Sequence, residues 1–241
     1  MPTDSWFPLA IYVEDLSEAA DHRQDLLDAV LQLEKASGER RAFPDMAWTG
    51  DLHGVAQVHT DPRFAWVVSQ VETHTRIYLQ ELGIDLKQVE LYIQRSWPIV
   101  ARWGQAVGAH NHPTAHVSGV YYVAVPQTDA LDRGELVFID DARLNEVCPG
   151  LGSENTQVIC EWNEFNQFQV AYTPVEGRIL IFPAKQRHAV TMNETHDLRV
   201  SLSFDITITG VAGQSAGAYE FLTPSPSQWQ RFDRPTMQLQ T

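Results

Sequence analysis

The sequence predicts a mainly β fold, an antiparallel sandwich or jelly roll, preceded by supporting helices. Two observations support this prediction. In the first third of the chain, apolar residues recur at helical spacing. From Val89 onward, short runs of β-branched and aromatic residues are separated by Gly, Pro, Asp and Asn, with no long helical pattern between them. This order argues against a parallel sheet of alternating strands and helices. The length of 241 residues suits one domain of this kind.

The N-terminal third begins with an apolar run at 7–13 that predicts a short strand. A helix is expected from about Glu18 to Lys35, because leucines and valines follow one face, and Gly38 ends it. Residues 36–58 are polar and predict irregular structure. A second helix is expected from Asp61-Pro62 to Gly83, where apolar residues again fall near helical spacing.

The β-rich part contains six runs bounded by turn residues. They read LYIQRSWPIV, HVSGVYYVAV, GELVFID, FQVAYTPV, RILIFP and LRVSLSFDI. Residues 148–168 are polar and aromatic, which predicts a long loop or an inserted hairpin near an opening. We expect one structural domain in three parts. They are a strand and supporting helices in 1–88, the β core in 89–212 and a surface tail in 213–241.

Composition excludes several classes of function. Lys and Arg number 17 and Asp and Glu 31, a net charge of −14, so the surface should repel nucleic-acid phosphates and anionic membranes. No stretch approaches the roughly 18 apolar residues of a membrane span. The N-terminus lacks the pattern of a signal peptide, so we expect a cytoplasmic protein. Cys148 and Cys160 are then expected to be reduced thiols.

Histidines form the first chemical signal. His110, His112 and His116 lie in one short segment, and His188 lies far downstream. Side chains at i and i+2 of a strand share a face, so His110 and His112 could both point into a barrel. Imidazole suits iron and zinc. The same pattern also fits surface histidines at a turn before Pro113, and the spacing alone does not decide between the two.

The second signal is the strand that begins at Arg199. Arg199, Ser201 and Ser203 alternate with apolar residues and therefore share one face. An arginine on an inner face needs an anionic partner. Its planar guanidinium can bind a carboxylate through two hydrogen bonds. Alternatively, Arg199 faces solvent or pairs with Asp197.

Together these pieces resemble a known family. The order H-x-H-P, SGVYYV, GELVFID, EGRILIFPAKQRHAV and RVSLSFDI is similar to the bacterial group of putative Fe(II)/2-oxoglutarate-dependent oxygenases. The resemblance is strong from about Trp97 to Ile206 and weaker towards the N-terminus. It implies a double-stranded β-helix, a cupin-like jelly roll, with Fe(II) as cofactor and 2-oxoglutarate and O2 as cosubstrates. Such enzymes couple release of succinate and CO2 to oxidation of a substrate.

The resemblance also implies a ligand set. His110 would be the first metal ligand and His188 the last. His112 would be the middle ligand, where the superfamily usually has a carboxylate. Asp140 or Asp141 could supply a carboxylate instead. We favour His112, because the two aspartates follow a separate run with no fixed relation to the H-x-H pair.

The cosubstrate site follows from the same resemblance. Arg199 and Ser201 resemble the R-x-S pair that binds the distal carboxylate of 2-oxoglutarate. Tyr122 resembles a strand tyrosine whose hydroxyl reaches that carboxylate. Strand alternation predicts that one ring of the pair Tyr121 and Tyr122 lies in the core and the other outside.

The substrate is expected to be a small molecule, an amino acid or related carboxylate that becomes hydroxylated. Arginines could bind its carboxylate, and aromatic residues of the insertion could form a lid. The candidate substrate residues are Arg102, Trp103, His116, Arg143 and Trp162. Arg95, Trp97 and Gln105 are further candidates for the mouth of the site.

Two other classes of function fit parts of the sequence. A cupin-type three-histidine dioxygenase would use O2 without 2-oxoglutarate, although it would not need the Arg199 clamp. A catalytically inactive jelly-roll metal-binding protein would explain the missing carboxylate. The sequence does not specify the oligomeric state, but jelly-roll enzymes often dimerise through N-terminal helices, so a homodimer is one alternative.

Overall fold

The structure is a computed structural model that describes residues 3–38, 43–128, 132–151, 158–213 and 221–231. It contains two main helices and ten strands within these ranges. The helices are α1 (Ala19–Ser37) and α2 (Ala65–Glu81). The strands are β1 (Tyr12–Asp15), β2 (Trp48–Thr49), β3 (Val89–Ala101), β4 (Gln105–His110), β5 (Val117–Ala124), β6 (Leu136–Ile139), β7 (Gln169–Tyr172), β8 (Arg178–Pro183), β9 (His188–Asn193) and β10 (Arg199–Gly210).

The strands form two antiparallel sheets that face each other. The larger sheet has the order β1-β8-β5-β10-β3-β2, and the smaller has the order β4-β9-β6-β7. A buried apolar cluster joins them, with Val120 and Leu180 from the larger sheet and Leu136 and Val190 from the smaller. This arrangement is the double-stranded β-helix, which confirms the predicted fold class.

Both helices cover the outer face of the larger sheet. Leu26 and Val71 of the helices belong to one buried cluster with Phe204 of the sheet. Burial of this apolar surface stabilises the fold. Because the helices shield the outer face, Tyr121 on that face is only 1 % exposed, while Tyr122 on the inner face belongs to the cluster between the sheets and is 0 % exposed. The alternation along β5 was predicted, but the expectation of one ring outside the core was wrong.

The elements follow the predicted order, with shifted boundaries. The first strand is β1, which overlaps only the last two residues of the expected run at 7–13. Phe7 has a positive φ of 64° and is 86 % exposed, which is unlike a buried strand residue. Gly38 ends α1 and Gly83 follows α2, as expected. Strand β9 was not among the six predicted runs.

The insertion and the tail are described in part. Within 148–151 and 158–168 the chain forms turns and bends without a strand, as expected of a long loop, and 152–157 lie outside the described residues. In the described tail, Leu222 packs against the helix-side core and Ser225 is 1 % exposed. Residues 214–220 and 232–241 lie outside the described residues.

Two further observations concern the chain as a whole. Among the described residues, neither helix combines the length and apolar character needed to cross a bilayer. Cys148 and Cys160 are exposed and free, in agreement with two unpaired thiols.

Candidate metal and 2-oxoglutarate site

Three histidines meet between the sheets. His110 ends β4 and pairs in register with His188, the first residue of β9. His112 lies two residues beyond the end of β4, in the turn, so the assumption that both H-x-H histidines lie within one strand was wrong. One ring nitrogen from each histidine lies within 4.8 Å of the other two. Three imidazoles at this separation can bind one metal ion.

The hydrogen bonds of the three rings leave one nitrogen of each free for a metal. The Nδ1 atom of His110 lies 2.8 Å from the carbonyl oxygen of Gly108, and that of His188 lies 2.9 Å from the carbonyl oxygen of Gln186. Carbonyl acceptors hold the proton on Nδ1, which leaves Nε2 with its lone pair. Burial lowers the pKa of His188 to about 4, so this imidazole is neutral at physiological pH, as metal binding requires.

His112 is oriented by a buried carboxylate. Its Nδ1 lies 2.5 Å from Oδ1 of Asp205 and 2.9 Å from the hydroxyl of Ser118. Asp205 is fully buried, and Arg95 donates to its other oxygen from Nε and Nη2 at 3.1 and 2.6 Å. Hydrogen bonds from His112 and Arg95 lower the pKa of Asp205 against the opposing effect of burial. A carboxylate behind a ligating histidine fixes its tautomer and raises its basicity.

Arg199 is the first residue of β10 and lies on the same face of that strand as Asp205. It is 1 % exposed, and it forms no ion pair with any carboxylate of the described residues. Its Nε donates to the carbonyl oxygen of Gly134 at 2.7 Å, and its Nη1 donates to the hydroxyl of Ser201 at 3.2 Å. A Cβ atom at Gly134 would stand 2.4 Å from the Cδ of Arg199, so only glycine leaves room for this side chain.

Tyr122 packs against Arg199 at this end of the site, although it is not among the residues that line the cleft between the sheets. Its ring centroid lies 5.1 Å from the guanidinium carbon of Arg199, and Tyr122 is opposite Ser201 in the register of β5 and β10. The Tyr122 hydroxyl is buried and has no hydrogen-bond partner among the described residues. Burial raises the pKa of Tyr122, although the charge of Arg199 acts in the opposite direction. A buried cation and an unsatisfied hydroxyl together fit an anionic ligand.

A cleft of about 330 Å³ joins the two ends. Arg199, Ser201 and Ser203 line it, and so do all three histidines of the triad. The cleft thus offers imidazole nitrogens for a metal and a cationic end for a carboxylate. This donor set fits Fe(II) and 2-oxoglutarate, a dianion with one end for the metal and one for Arg199.

The predicted substrate residues lie outside this cleft. Arg102 makes two hydrogen bonds to the carboxylate of Glu34, at 2.6 and 2.9 Å. Trp103 is 64 % exposed and stacks on His196. The Nδ1 atom of His116 accepts a hydrogen bond from the backbone amide of Ile208. None of these side chains is among the residues that line the cleft.

Arg143 and Trp162 lie together in the insertion. Both contact the ring of Phe168, with the guanidinium of Arg143 4.9 Å from its centroid. The backbone amide of Asp140 donates a hydrogen bond to the carbonyl oxygen of Phe168. The insertion therefore leaves and rejoins the small sheet at the strand ends where β9 begins with His188. It therefore lies at the metal end of the sheet, although neither residue lines the cleft.

The structure separates the alternative carboxylates from the triad. Asp140 and Asp141 are exposed, and Asp141 pairs with Arg187 at 3.0 Å. Among the described residues, the metal-binding group contains His110, His112 and His188 and neither aspartate.

Sequence reasoning missed three features of the site. Asp205 shares the strand parity of Arg199, and this parity was the available signal. Asp51 and Thr49 line the cleft from a segment that was predicted to be irregular. Of the candidates for the mouth, Arg95 and Trp97 line the cleft, whereas Gln105 is buried and accepts from the backbone amide of Arg102.

Comparisons with known proteins agree with this geometry. The chain resembles the 2-oxoglutarate-dependent carbocyclase SnoK of nogalamycin biosynthesis, with a TM-score of 0.56, 13 % identity and coverage of 90 % of this chain and 87 % of SnoK. It resembles a Pseudomonas putida prolyl-4-hydroxylase with a TM-score of 0.53, 12 % identity and coverage of 82 % and 92 %. HygX from Streptomyces hygroscopicus, with nickel, 2-oxoglutarate and hygromycin B bound, gives a TM-score of 0.55, 10 % identity and coverage of 83 % of both chains. These likenesses establish the shared fold. No curated protein sequence matches the chain significantly.

A comparison with protein-family models adds a sequence match to the shared fold. Residues 95–205, just under half of the chain, match the model of the family described as putative 2OG-Fe(II) oxygenases. The matched segment contains all three histidines of the triad, Arg199 and Asp205.

Proposed function

We propose that this protein is a non-haem Fe(II)- and 2-oxoglutarate-dependent oxygenase that hydroxylates a small molecule, an amino acid or related carboxylate. In this proposal His110, His112 and His188 bind the iron. Arg199, with Ser201 and Tyr122, binds the distal carboxylate of 2-oxoglutarate. The expected cytoplasmic location stays a prediction, and a homodimer stays an open alternative.

The observation that best supports the 2-oxoglutarate role is that Arg199 is buried without a carboxylate partner among the described residues. Burial of an arginine without a counterion is costly, and a ligand carboxylate would remove this cost. The guanidinium can donate to a carboxylate through N–H groups other than the two that donate to Gly134 and Ser201. The Tyr122 hydroxyl, which has no partner among the described residues, can add another hydrogen bond.

The chain's own groups position the reactants and need not move protons. When bound, Fe(II) and 2-oxoglutarate supply the oxidising power for hydroxylation of a C–H bond by O2. One oxygen atom of O2 enters the product and the other enters succinate, while CO2 is lost. Apolar side chains around the cleft, among them Ile99, Val120 and Val190, exclude water from the reacting centre. The cleft is at the small end of the range for ligand sites, which favours a small substrate.

The testing experiment is an anaerobic titration. Fe(II) and then 2-oxoglutarate are added to the protein, and the visible metal-to-ligand charge-transfer band is recorded. We expect a band that requires both additions and is absent in His188→Ala. His196→Ala, which removes an exposed histidine, serves as the matched control and should retain the band. Iron binding without a 2-oxoglutarate-dependent band would refute the proposal and favour a three-histidine dioxygenase.

A further inference from the structure

The cleft contains a second pair of charged groups that the iron and 2-oxoglutarate do not use. Its charged lining residues, besides the histidines, are Arg199, Arg95 and Asp51. Arg95 is opposite Asp205 in the register of β3 and β10, and Asp205 is six residues from Arg199. At about 3.3 Å per residue, this places the two arginines roughly 20 Å apart along the strand. One molecule of 2-oxoglutarate bound at Arg199 therefore does not occupy the part of the cleft beside Arg95 and Asp51.

Asp51 is held rigidly at the cleft wall. The preceding strand β2 pairs with β3, and the 3₁₀ turn Gly50–His53 follows it directly. A Cβ atom at Gly50 would lie 2.6 Å from Cδ of Pro98, so the turn packs closely on β3. The amide of Val55 bonds to the carbonyl oxygen of Gly50 at 2.7 Å and closes the turn. A carboxylate on such a support has a defined position, as binding sites require.

Arg95 and Asp51 can each form further hydrogen bonds. Arg95 uses Nε and Nη2 on Asp205, and its Nη1 lies 4.0 Å from Oδ2 of Asp51, beyond hydrogen-bond distance. Asp51 is 21 % exposed and makes no other ion pair with the described residues. In the same wall, the buried hydroxyl of Thr49 has no hydrogen-bond partner among the described residues.

We propose that Asp51 and Arg95 form the substrate subsite and bind the ammonium and carboxylate groups of an amino acid zwitterion. Asp51 accepts hydrogen bonds from the ammonium group, and Nη1 of Arg95 donates to the carboxylate. A zwitterion matches the opposite charges of the two side chains, whereas a ligand of a single charge matches only one of them. Asp51 and His110 line the same cleft, so an amino acid bound at Asp51 shares that cleft with the histidines assigned to the metal. This inference rests on the proposed function.

The experiment uses the protein loaded anaerobically with Fe(II) and 2-oxoglutarate. Calorimetry measures binding of each standard protein amino acid to the wild type, to Asp51→Asn and to Asp25→Asn. Asp25→Asn removes the same charge from the exposed surface of α1 and is the matched control. The amino acid that binds best is then compared with its N-acetyl and carboxamide derivatives. The first derivative lacks the ammonium group and the second lacks the carboxylate.

We expect Asp51→Asn to weaken amino acid binding about 10- to 100-fold, the loss typical of one charge-assisted hydrogen bond. The variant should bind the N-acetyl form about as well as the wild type does, and its affinities for iron and 2-oxoglutarate should be unchanged. In the wild type, both derivatives should bind at least about tenfold more weakly than the zwitterion. Asp25→Asn should behave as the wild type.

Three results would overturn the inference. The first is lower iron affinity in Asp51→Asn, which would make Asp51 a metal ligand. The second is equal binding of the zwitterion and its blocked derivatives by the wild type. The third is the absence of amino acid binding while the charge-transfer band forms normally. Failure of the band itself would instead reject the proposed function, so the two failures are distinguishable.

Discussion

Replacement of Arg199 by methionine tests the cosubstrate site most directly. Methionine retains much of the apolar stem that packs against Gly134 and Tyr122, but it removes the buried charge. The ligand carboxylate then loses its charge-assisted contact with the guanidinium. Hydrogen bonds to charged groups contribute about 1.5–3 kcal/mol, and a pair of them at one carboxylate should place the loss near the upper part of this range. A loss of about 2–3 kcal/mol corresponds to roughly 30- to 160-fold weaker binding of 2-oxoglutarate.

The assay is an anaerobic titration of 2-oxoglutarate into iron-loaded protein, followed by the charge-transfer band. Arg199→Lys is the informative companion, because it retains the charge and loses the planar fork. We expect its affinity to lie between those of the wild type and Arg199→Met. Arg76→Met removes an exposed arginine of α2 and should leave the affinity unchanged. An unchanged affinity in Arg199→Met, with normal iron content, would show that the distal carboxylate binds elsewhere.

Three further substitutions test other parts of the site. Asp205→Asn should lower iron affinity about 10- to 100-fold, because it removes the charge behind His112, and unchanged affinity in a metal-competition titration would contradict this role. Tyr122→Phe should weaken 2-oxoglutarate binding about fivefold without lowering thermal stability, because the hydroxyl makes no hydrogen bond with the described residues. A marked fall in the unfolding temperature would indicate a structural role instead. Arg102→Ala should leave binding of both iron and 2-oxoglutarate unchanged, since Arg102 is paired with Glu34, and a loss of either in the titrations would place it in the site.

The sequence predicted the parts of the site that depend on strand periodicity. Arg199 and Ser201 share a face because side chains alternate along a strand, and β10 is long enough for this rule to apply. The same rule places Asp205 on the face of Arg199 and Ser201. The role of Asp205, however, depends on its contact with His112, which is 93 residues away in sequence. Strand register sets that contact, and the pattern of one strand does not specify the register.

The substrate side was predicted less well for a related reason. Arginines near the metal strand appeared suitable for a substrate carboxylate, but Arg102 is paired with Glu34 of α1. The residues that do line the cleft come partly from the segment around Asp51, where turns and a two-residue strand give no periodic signal. Its position is fixed by pairing with β3, and a long-range contact of this kind is not visible in local composition.

The superfamily that the sequence resembles usually has a carboxylate as a direct metal ligand. In this protein, the carboxylate of Asp205 instead lies behind His112 and bonds to its Nδ1. Three neutral imidazoles alone would leave the positive charge of the metal ion uncompensated in a buried site, which is costly. Asp205 supplies a negative charge through the hydrogen bond to Nδ1 of His112, while Arg95 holds its other oxygen in place. In the proposed site, strand β10 therefore positions both ends, with Arg199 assigned to the cosubstrate and Asp205 behind His112, the assigned metal ligand. Because Arg95 also reaches towards Asp51, the binding of substrate charge and the orientation of His112 share one side chain. Occupation of the substrate subsite should thus alter the metal's spectrum even where the substrate does not touch the metal.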